Sequence, residues 1–270
     1  MKKLGLIAGS GALPAAVAAE ARSAGYSVAA IALQHLADHN LGSAVDEISW
    51  VSVGKLGVII DTLKKAGVKE AVMAGKVPKS LLYKSRIVPD LRAVKLLFSL
   101  KDRSDDAIML AITNELEKEG IRLLKTTDFC KGLLTQAGVL TKSKPTEAEM
   151  KDIAFGWEIA KEIGRLDIGQ TIVVKDRAVM AVEAIEGTDE AIKRGGKLAG
   201  SGAVVIKISK PQQDMRFDVP VVGEDTLKAM IEVKARVLAV EAHKSILVVR
   251  DAMVSHADKA SISIIGYDRS

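Results

Sequence analysis

The stretch that decides the fold is Lys3-Leu4-Gly5-Leu6-Ile7-Ala8-Gly9-Ser10-Gly11-Ala12-Leu13-Pro14. Its first residues form a short β-type run and the glycines break it. Pro14 then suits the first turn of a helix, where a missing N–H costs nothing. Leu13–Ala24 reads as that helix and Tyr26–Leu33 as a second strand. Working outward, strand patterns at Glu47–Val53, Glu70–Ala74 and Ile121–Thr126 alternate with helical spacing at Lys55–Ala66 and Asp105–Glu119. Such alternation with short connections predicts an α/β fold: a Rossmann-like parallel-sheet domain over residues 1–131. Ligands of such sheets bind beyond the carboxyl ends of the strands.

From Gly132 to Pro145 the pattern dissolves into Gly, Thr, Lys and Ser, which predicts a linker over 132–145. Thr146 and Glu149 then fit a capping box ahead of a helix to about Ile163. Strand runs at Gln170–Lys175, Ala178–Ile185, Ala203–Ile208, Val237–Ala242, Ser245–Val249 and Ile262–Tyr267 follow. Helices are expected at Thr188–Leu198, Glu224–Lys234 and Asp251–Lys259, making residues 146–270 a second α/β domain.

The chain has 270 residues, 48% apolar and 27% charged, enough for two compact cores. Its one cysteine, Cys130, excludes an internal disulfide and a thiolate metal site. No run approaches the roughly 20 apolar residues of a membrane span, and the N-terminus reads as a strand rather than a signal peptide. Aromatics at 3% are too few for a base-stacking platform, so no nucleic-acid partner is expected. The four histidines have no zinc spacing. The absence of a Gly-x-Ser-x-Gly elbow or a P-loop disfavours a triad hydrolase and a Walker-type kinase.

Gly9-Ser10-Gly11-Ala12 follows a strand and opens a helix, a place where free amides attract phosphate. The turn lacks the third glycine of the dinucleotide fingerprint, and Leu33-Gln34-His35 supplies no ribose-gripping acid, which counts against NAD. Ala74-Gly75-Lys76 is a second post-strand turn, with a lysine that could reach a phosphate, although such lysines are more often solvated. Asp105-Asp106 reads first as a helix cap. In the second half Glu183 lies inside an apolar run, a costly place for a carboxylate. Glu186 and Asp189 flank a Gly-Thr turn, and Asp218 precedes Val219-Pro220. Hard oxygen donors without His or Cys suit Mg2+ or Mn2+, so Asp218, Glu183 and Glu186 are candidate metal ligands. Taken singly, each acid is more often a cap or a salt bridge.

Together, these segments resemble a known family. They are Leu4–Pro14, Ala74-Gly75-Lys76-Val77, Asp105-Asp106-Ala107, Glu162-Ile163-Gly164-Arg165-Leu166-Asp167-Ile168-Gly169-Gln170, Val182-Glu183-Ala184 with Glu186-Gly187-Thr188-Asp189, and Arg216-Phe217-Asp218-Val219-Pro220. The set is similar to UDP-2,3-diacylglucosamine pyrophosphatases of the LpxI type, over nearly the whole chain. The resemblance implies a two-domain, magnesium-dependent enzyme of lipid A biosynthesis with its site between the domains. That enzyme cleaves UDP-2,3-diacylglucosamine to UMP and 2,3-diacylglucosamine 1-phosphate. It implies that Asp218, in the basic-x-Asp-aliphatic-Pro element, is catalytic. Gly11 and Ala12 match the turn that meets the nucleotide, and the resemblance places Gln170, Thr188 and Asp189 near the uridine or the phosphates; Gly75 and Lys76 are substrate-binding candidates from their own turn. Ser10 stands in a turn that is often all glycine, and Lys76 where family members vary. The residues alone leave open a non-catalytic nucleotide-sugar-binding protein or, less favoured, an NAD-type oxidoreductase.

Charge is unevenly spread. Between Lys76 and Arg103 eight basic residues face two acidic ones, a net +6 against +5 for the whole chain, interleaved with apolar residues. Such a block suits acyl chains or an anionic leaflet, and the resemblance implies a cytoplasmic protein peripheral at the inner membrane. An ordinary helix with a solvated basic face fits it equally. A homodimer is left open.

Overall fold

The computed structural model describes residues 2–77, 88–100 and 105–269. Of the basic block, Lys79, Lys84, Arg86, Lys101 and Arg103 lie outside the described residues, as do the side chains of Asp105 and Asp106. The chain divides into two compact units: residues 1–131 with 215–217, and residues 132–214 with 218–270.

In the first unit five strands form one parallel sheet: β1 (Lys2–Ala8), β2 (Tyr26–Leu33), β3 (Glu47–Val51), β4 (Glu70–Ala74) and β5 (Arg122–Leu123). Their order is β3-β2-β1-β4-β5, so the direction of winding reverses between β1 and β4. Helix α1 (Leu13–Ser23) returns the chain to β2, and α2 (Leu56–Lys65) returns it to β4. Strand residues alternate in facing (period 2). Ile7, Ala29, Ile31, Leu33 and Val51 accordingly pack on Leu56, Ile59, Ile60 and Leu63 of α2. Helix α3 (Leu91–Ser99), which the sequence pattern did not single out, is capped by Asp90, whose Oδ1 accepts from Ala93 N. The other oxygen of Asp90 accepts from Gly57 N at the start of α2, so one side chain serves two helix N-termini. Helix α4 (Asp105–Lys118) leads to β5.

The second unit carries a six-stranded mixed sheet. Its strands are β6 (Gly138–Val139), β7 (Thr171–Lys175), β8 (Ala178–Val182), β9 (Val204–Lys207), β11 (Val237–Glu241) and β13 (Ser263–Tyr267). The order is β6-β13-β11-β9-β7-β8, with β9, β11 and β13 parallel and β7 antiparallel to both neighbours. A separate parallel pair joins β10 (Val221–Val222) to β12 (Ile246–Leu247). One face packs on α5 (Glu147–Arg165) through Ile153, Trp157, Ala160 and Ile163. The opposite face packs on α6 (Thr188–Ala199), α7 (Glu224–Glu232) and α8 (Arg250–Lys259) through Ile192, Leu227, Met230 and Met253. The 132–145 stretch is not all loop, because β6 pairs antiparallel with β13. β8 ends at Val182, three residues short of the expected strand, and Glu183 lies just past it. Among the described residues no helix is long and apolar enough to cross a membrane.

The capping box at α5 forms in full, with Glu149 N donating to Thr146 Oγ1 and Thr146 N to Glu149 Oε2. Replacing Thr146 by Ala is expected to cost about 1 kcal/mol. In urea titration the midpoint should fall with an unchanged slope.

Candidate functional site

Each unit gathers candidate residues at the carboxyl ends of its parallel strands. In the first unit the turns after β1 and β4 are tied to each other. Gly9 N donates to Ala74 O (2.8 Å), Ser10 N to Lys76 O (2.9 Å), and Lys76 N to Ser10 O (3.0 Å). The Ser10 hydroxyl adds a bond to Lys76 O at 3.0 Å. Backbones this close leave no space for side chains. A Cβ at Gly9 would lie 2.6 Å from Lys76 O, and one at Gly75 only 2.7 Å from Ser10 O. Gly11 is glycine for a different reason: its φ is +93° and nothing lies within 4 Å of its missing Cβ. It therefore presents open, exposed backbone directly before α1, whose N-terminus has no side-chain cap. The structure thus brings Gly11, Ala12, Gly75 and Lys76 to one place where two neighbouring strands end, with Lys76 exposed. This is the topological switch point, where open α/β sheets bind ligands.

In the second unit, strand register lines up the candidates. Thr171 pairs with Lys207 across β7 and β9, Lys207 with Val240 on β11, and Ile172 with Val182 on β8. Gln170, Glu183, Lys207, Ser209 and Glu241 therefore fall at one end of the sheet. Glu183 is buried, with Oε1 accepting from the Thr188 hydroxyl (2.9 Å) and Oε2 from Gln170 N (3.3 Å). Gly169 is needed beside it, since a Cβ there would lie 2.1 Å from Glu183 O. The stretch from Gly164, at the end of α5, to Gln170 closes onto the segment after β9. Lys210 Nζ bonds Asp167 (2.6 Å), Gln212 Nε2 donates to Gly164 O (2.9 Å), and Gln213 Nε2 to Gln170 Oε1 (3.5 Å).

Two side chains in this row have the sequence signal that singled out Glu183, a charge inside an apolar strand, but sequence reasoning missed both. Lys207 is 4% exposed and Glu241 8%. Glu241 accepts from Lys161 Nζ (2.5 Å), Lys244 Nζ (2.9 Å) and Ser209 N (2.8 Å). Burial would raise its pKa, but those three donors together hold it below the ordinary 4.5.

Other candidates stand apart. Glu186 is bound by Arg194, whose hydrogen bond lowers its pKa, and Asp189 accepts from the Thr226 hydroxyl of α7 (2.8 Å). Asp218 is half-buried, its N–H donating to Asp214 O (2.9 Å), and it leads into β10. The residues just before it, Met215–Phe217, belong to the first unit. There Thr126 N donates to Met215 O (3.0 Å), and Phe217 packs on the apolar cluster of α2. Among the described residues no three His, Cys, Asp or Glu side chains are gathered to hold a metal. Glu183 and Glu186 in particular do not fit a shared ion with Asp218. One is held by a hydroxyl and a backbone amide, the other by a guanidinium. Cys130 is buried and its thiol is pushed up to about 12, so no thiolate nucleophile is available there.

Two family descriptions match the chain end to end: LpxI N-terminal domain over residues 3–133 and LpxI C-terminal domain over residues 136–265. The UDP-2,3-diacylglucosamine pyrophosphatase LpxI of Caulobacter vibrioides is 34% identical over 279 aligned positions, covering 99% of this chain and 98% of that protein. Two solved structures give weaker likenesses. Phosphoribosylglycinamide synthetase from Anaerococcus prevotii is 14% identical over 73% of this chain at a TM-score of 0.29. N5-carboxyaminoimidazole ribonucleotide synthetase from Thermotoga maritima is 15% identical over 71% at 0.26. The chain spans only 42% and 43% of those two proteins, and scores this low carry no argument.

The Glu241 cluster has a pH signature. A carboxylate with a depressed folded pKa contributes stability above its unfolded value, and that contribution is lost as pH falls through the folded value. Unfolding of the second unit by urea should therefore become easier below pH 4.5. Glu241→Gln should cost about 2 kcal/mol at neutral pH and remove that acid dependence, read as urea midpoints at both pH values.

Proposed function

This chain belongs to the LpxI family, and from that premise we propose that it hydrolyses the pyrophosphate of UDP-2,3-diacylglucosamine. The products are UMP and 2,3-diacylglucosamine 1-phosphate, a step of lipid A biosynthesis. The observation that carries this is the match of both family descriptions along the chain, with a full-length relative of that name.

The local chemistry supports the same reading. Cleaving a phosphoric anhydride requires neutralised phosphoryl oxygens and a positioned water, with no need for a protein nucleophile. Gly11, Ala12 and the uncapped start of α1 offer backbone amides to phosphate, and Lys76 adds a solvent-facing ammonium beside them. Gln170 and Asp189 are assigned to the substrate in the second unit. Asp218 is assigned as the carboxylate that orients the attacking water and receives its proton. Divalent-metal dependence is part of the proposal. Magnesium is commonly held by one or two carboxylates plus substrate phosphates, so Asp218 alone remains a candidate ligand. When bound, the ion would neutralise phosphoryl charge.

The proposal extends to peripheral binding at the cytoplasmic face of the inner membrane. Helix α3 has no buried residue; Leu91 and Phe98 are 70% and 79% exposed, with Lys95 exposed on the same face. An apolar face with a cation suits an anionic leaflet. Arg92, although part of the basic block, is bound to Glu115 and Glu119.

Incubation with UDP-2,3-diacylglucosamine and magnesium should release UMP, and EDTA should abolish the release. Asp218→Ala should lower kcat by about a thousandfold or more. Absence of UMP from the wild type overturns the function, whereas full activity in Asp218→Ala overturns only the assignment of the residue. For membrane binding, Leu91→Glu with Phe98→Glu should reduce sedimentation with phosphatidylglycerol vesicles at least about tenfold. Unchanged sedimentation rejects α3 as the contact.

A further inference from the structure

Glu183, Thr188 and Lys207 form a chain of hydrogen bonds whose direction is fixed by chemistry. A carboxylate only accepts and an ammonium only donates. The Thr188 hydroxyl must therefore give its one proton to Glu183 Oε1 (2.9 Å) and accept from Lys207 Nζ (3.1 Å). Thr171 Oγ1, at 3.4 Å, fills the remaining lone pair. Lys207 Nζ also donates to Val221 O at 3.0 Å, three residues past Asp218. The segment from Asp218 to Val222 is also attached through Asp218 N to Asp214 O (2.9 Å), Ile246 N to Pro220 O (2.8 Å) and Val248 N to Val222 O (3.1 Å), beside the β10–β12 pair. β10 is only two residues long, too short to hold its own register.

We infer that Glu183 and Thr188 are positioning residues that act through Lys207. They aim its ammonium at the Val221 carbonyl and so fix the segment that presents Asp218. A buried ion pair is weak evidence for stability, since apolar residues of similar volume commonly serve as well. Anchoring a short segment next to a reacting carboxylate is a task that apolar packing does less well, because it needs a directed bond. The chain of bonds also gives Glu183 a use other than ligating metal. The inference rests on the assignment of Asp218 given above.

Two measurements test it. The first is native-state hydrogen exchange at the amides of Ile246 and Val248, which needs no substrate. Thr188→Val should speed both at least about fivefold, and Thr188→Ser, which keeps the hydroxyl, should restore slow exchange. The second is steady-state kinetics with UDP-2,3-diacylglucosamine. Lys207→Met with Glu183→Gln removes both charges together. It should lower kcat at least about tenfold with KM changed less than about threefold. Lys175 at the other end of β7 makes a comparable bond to the Ser201 carbonyl (2.8 Å). Lys175→Met is the control and should leave kcat unchanged. Wild-type exchange rates in Thr188→Val, or a kcat within twofold in the double variant, overturn the inference. A wild type that releases no UMP refutes the proposed function instead, and the exchange measurement still decides whether the anchor exists.

Discussion

Glu183 and Lys207 are both buried, and the hydroxyl of Thr188 stands between them. A charge removed from water must be met by partners of the right polarity, or it shifts to its neutral form. The second unit is arranged around that requirement. Gly169 is glycine because the Glu183 carbonyl passes where a Cβ would be, and Gln170 turns its N–H to the carboxylate. Helix α6 starts at Thr188, which places the hydroxyl where the two charges need it. The same end of the sheet carries Glu241 under three donors. Polar groups are concentrated there because β8, β9 and β11 all end there, and the chain beyond them has backbone amides without ladder partners.

The first unit solves a related problem with less side chain. At the ends of β1 and β4 the two turns approach until their backbones bond to each other, and only glycine at positions 9 and 75 permits it. One sheet end is thus built from buried charges and hydroxyls, the other from backbone. Both follow from strands running the same way and stopping at the same level.

Much of this was legible in the chain. The run from Lys3 to Pro14 gave strand, turn and helix because each depends on local chemistry: β-type residues, glycines, and a proline tolerated only in a first helical turn. The Thr146–Glu149 box formed for the same reason, as its bonds span three residues. Helix α3 was missed because its apolar face packs little and reads like the rest of a basic, apolar stretch. The metal reading of Glu183 and Glu186 did not carry into three dimensions. Sequence shows acids close along the chain, but cannot show that Arg194 reaches one of them and Thr188 the other. Lys207 and Glu241 escaped notice although each interrupts an apolar strand.

What the sequence by itself determined is therefore the alternation of elements, the α/β class, the glycine turns and the family to which they point. These rest on contacts between residues a few positions apart. The tertiary structure decided the partners of the charges: Lys207 with Thr188 and Val221, Glu241 with Lys161, Lys210 with Asp167. Those bonds join residues 14 to 80 positions apart, and their lengths and directions are set by strand register and helix placement, which no local pattern encodes.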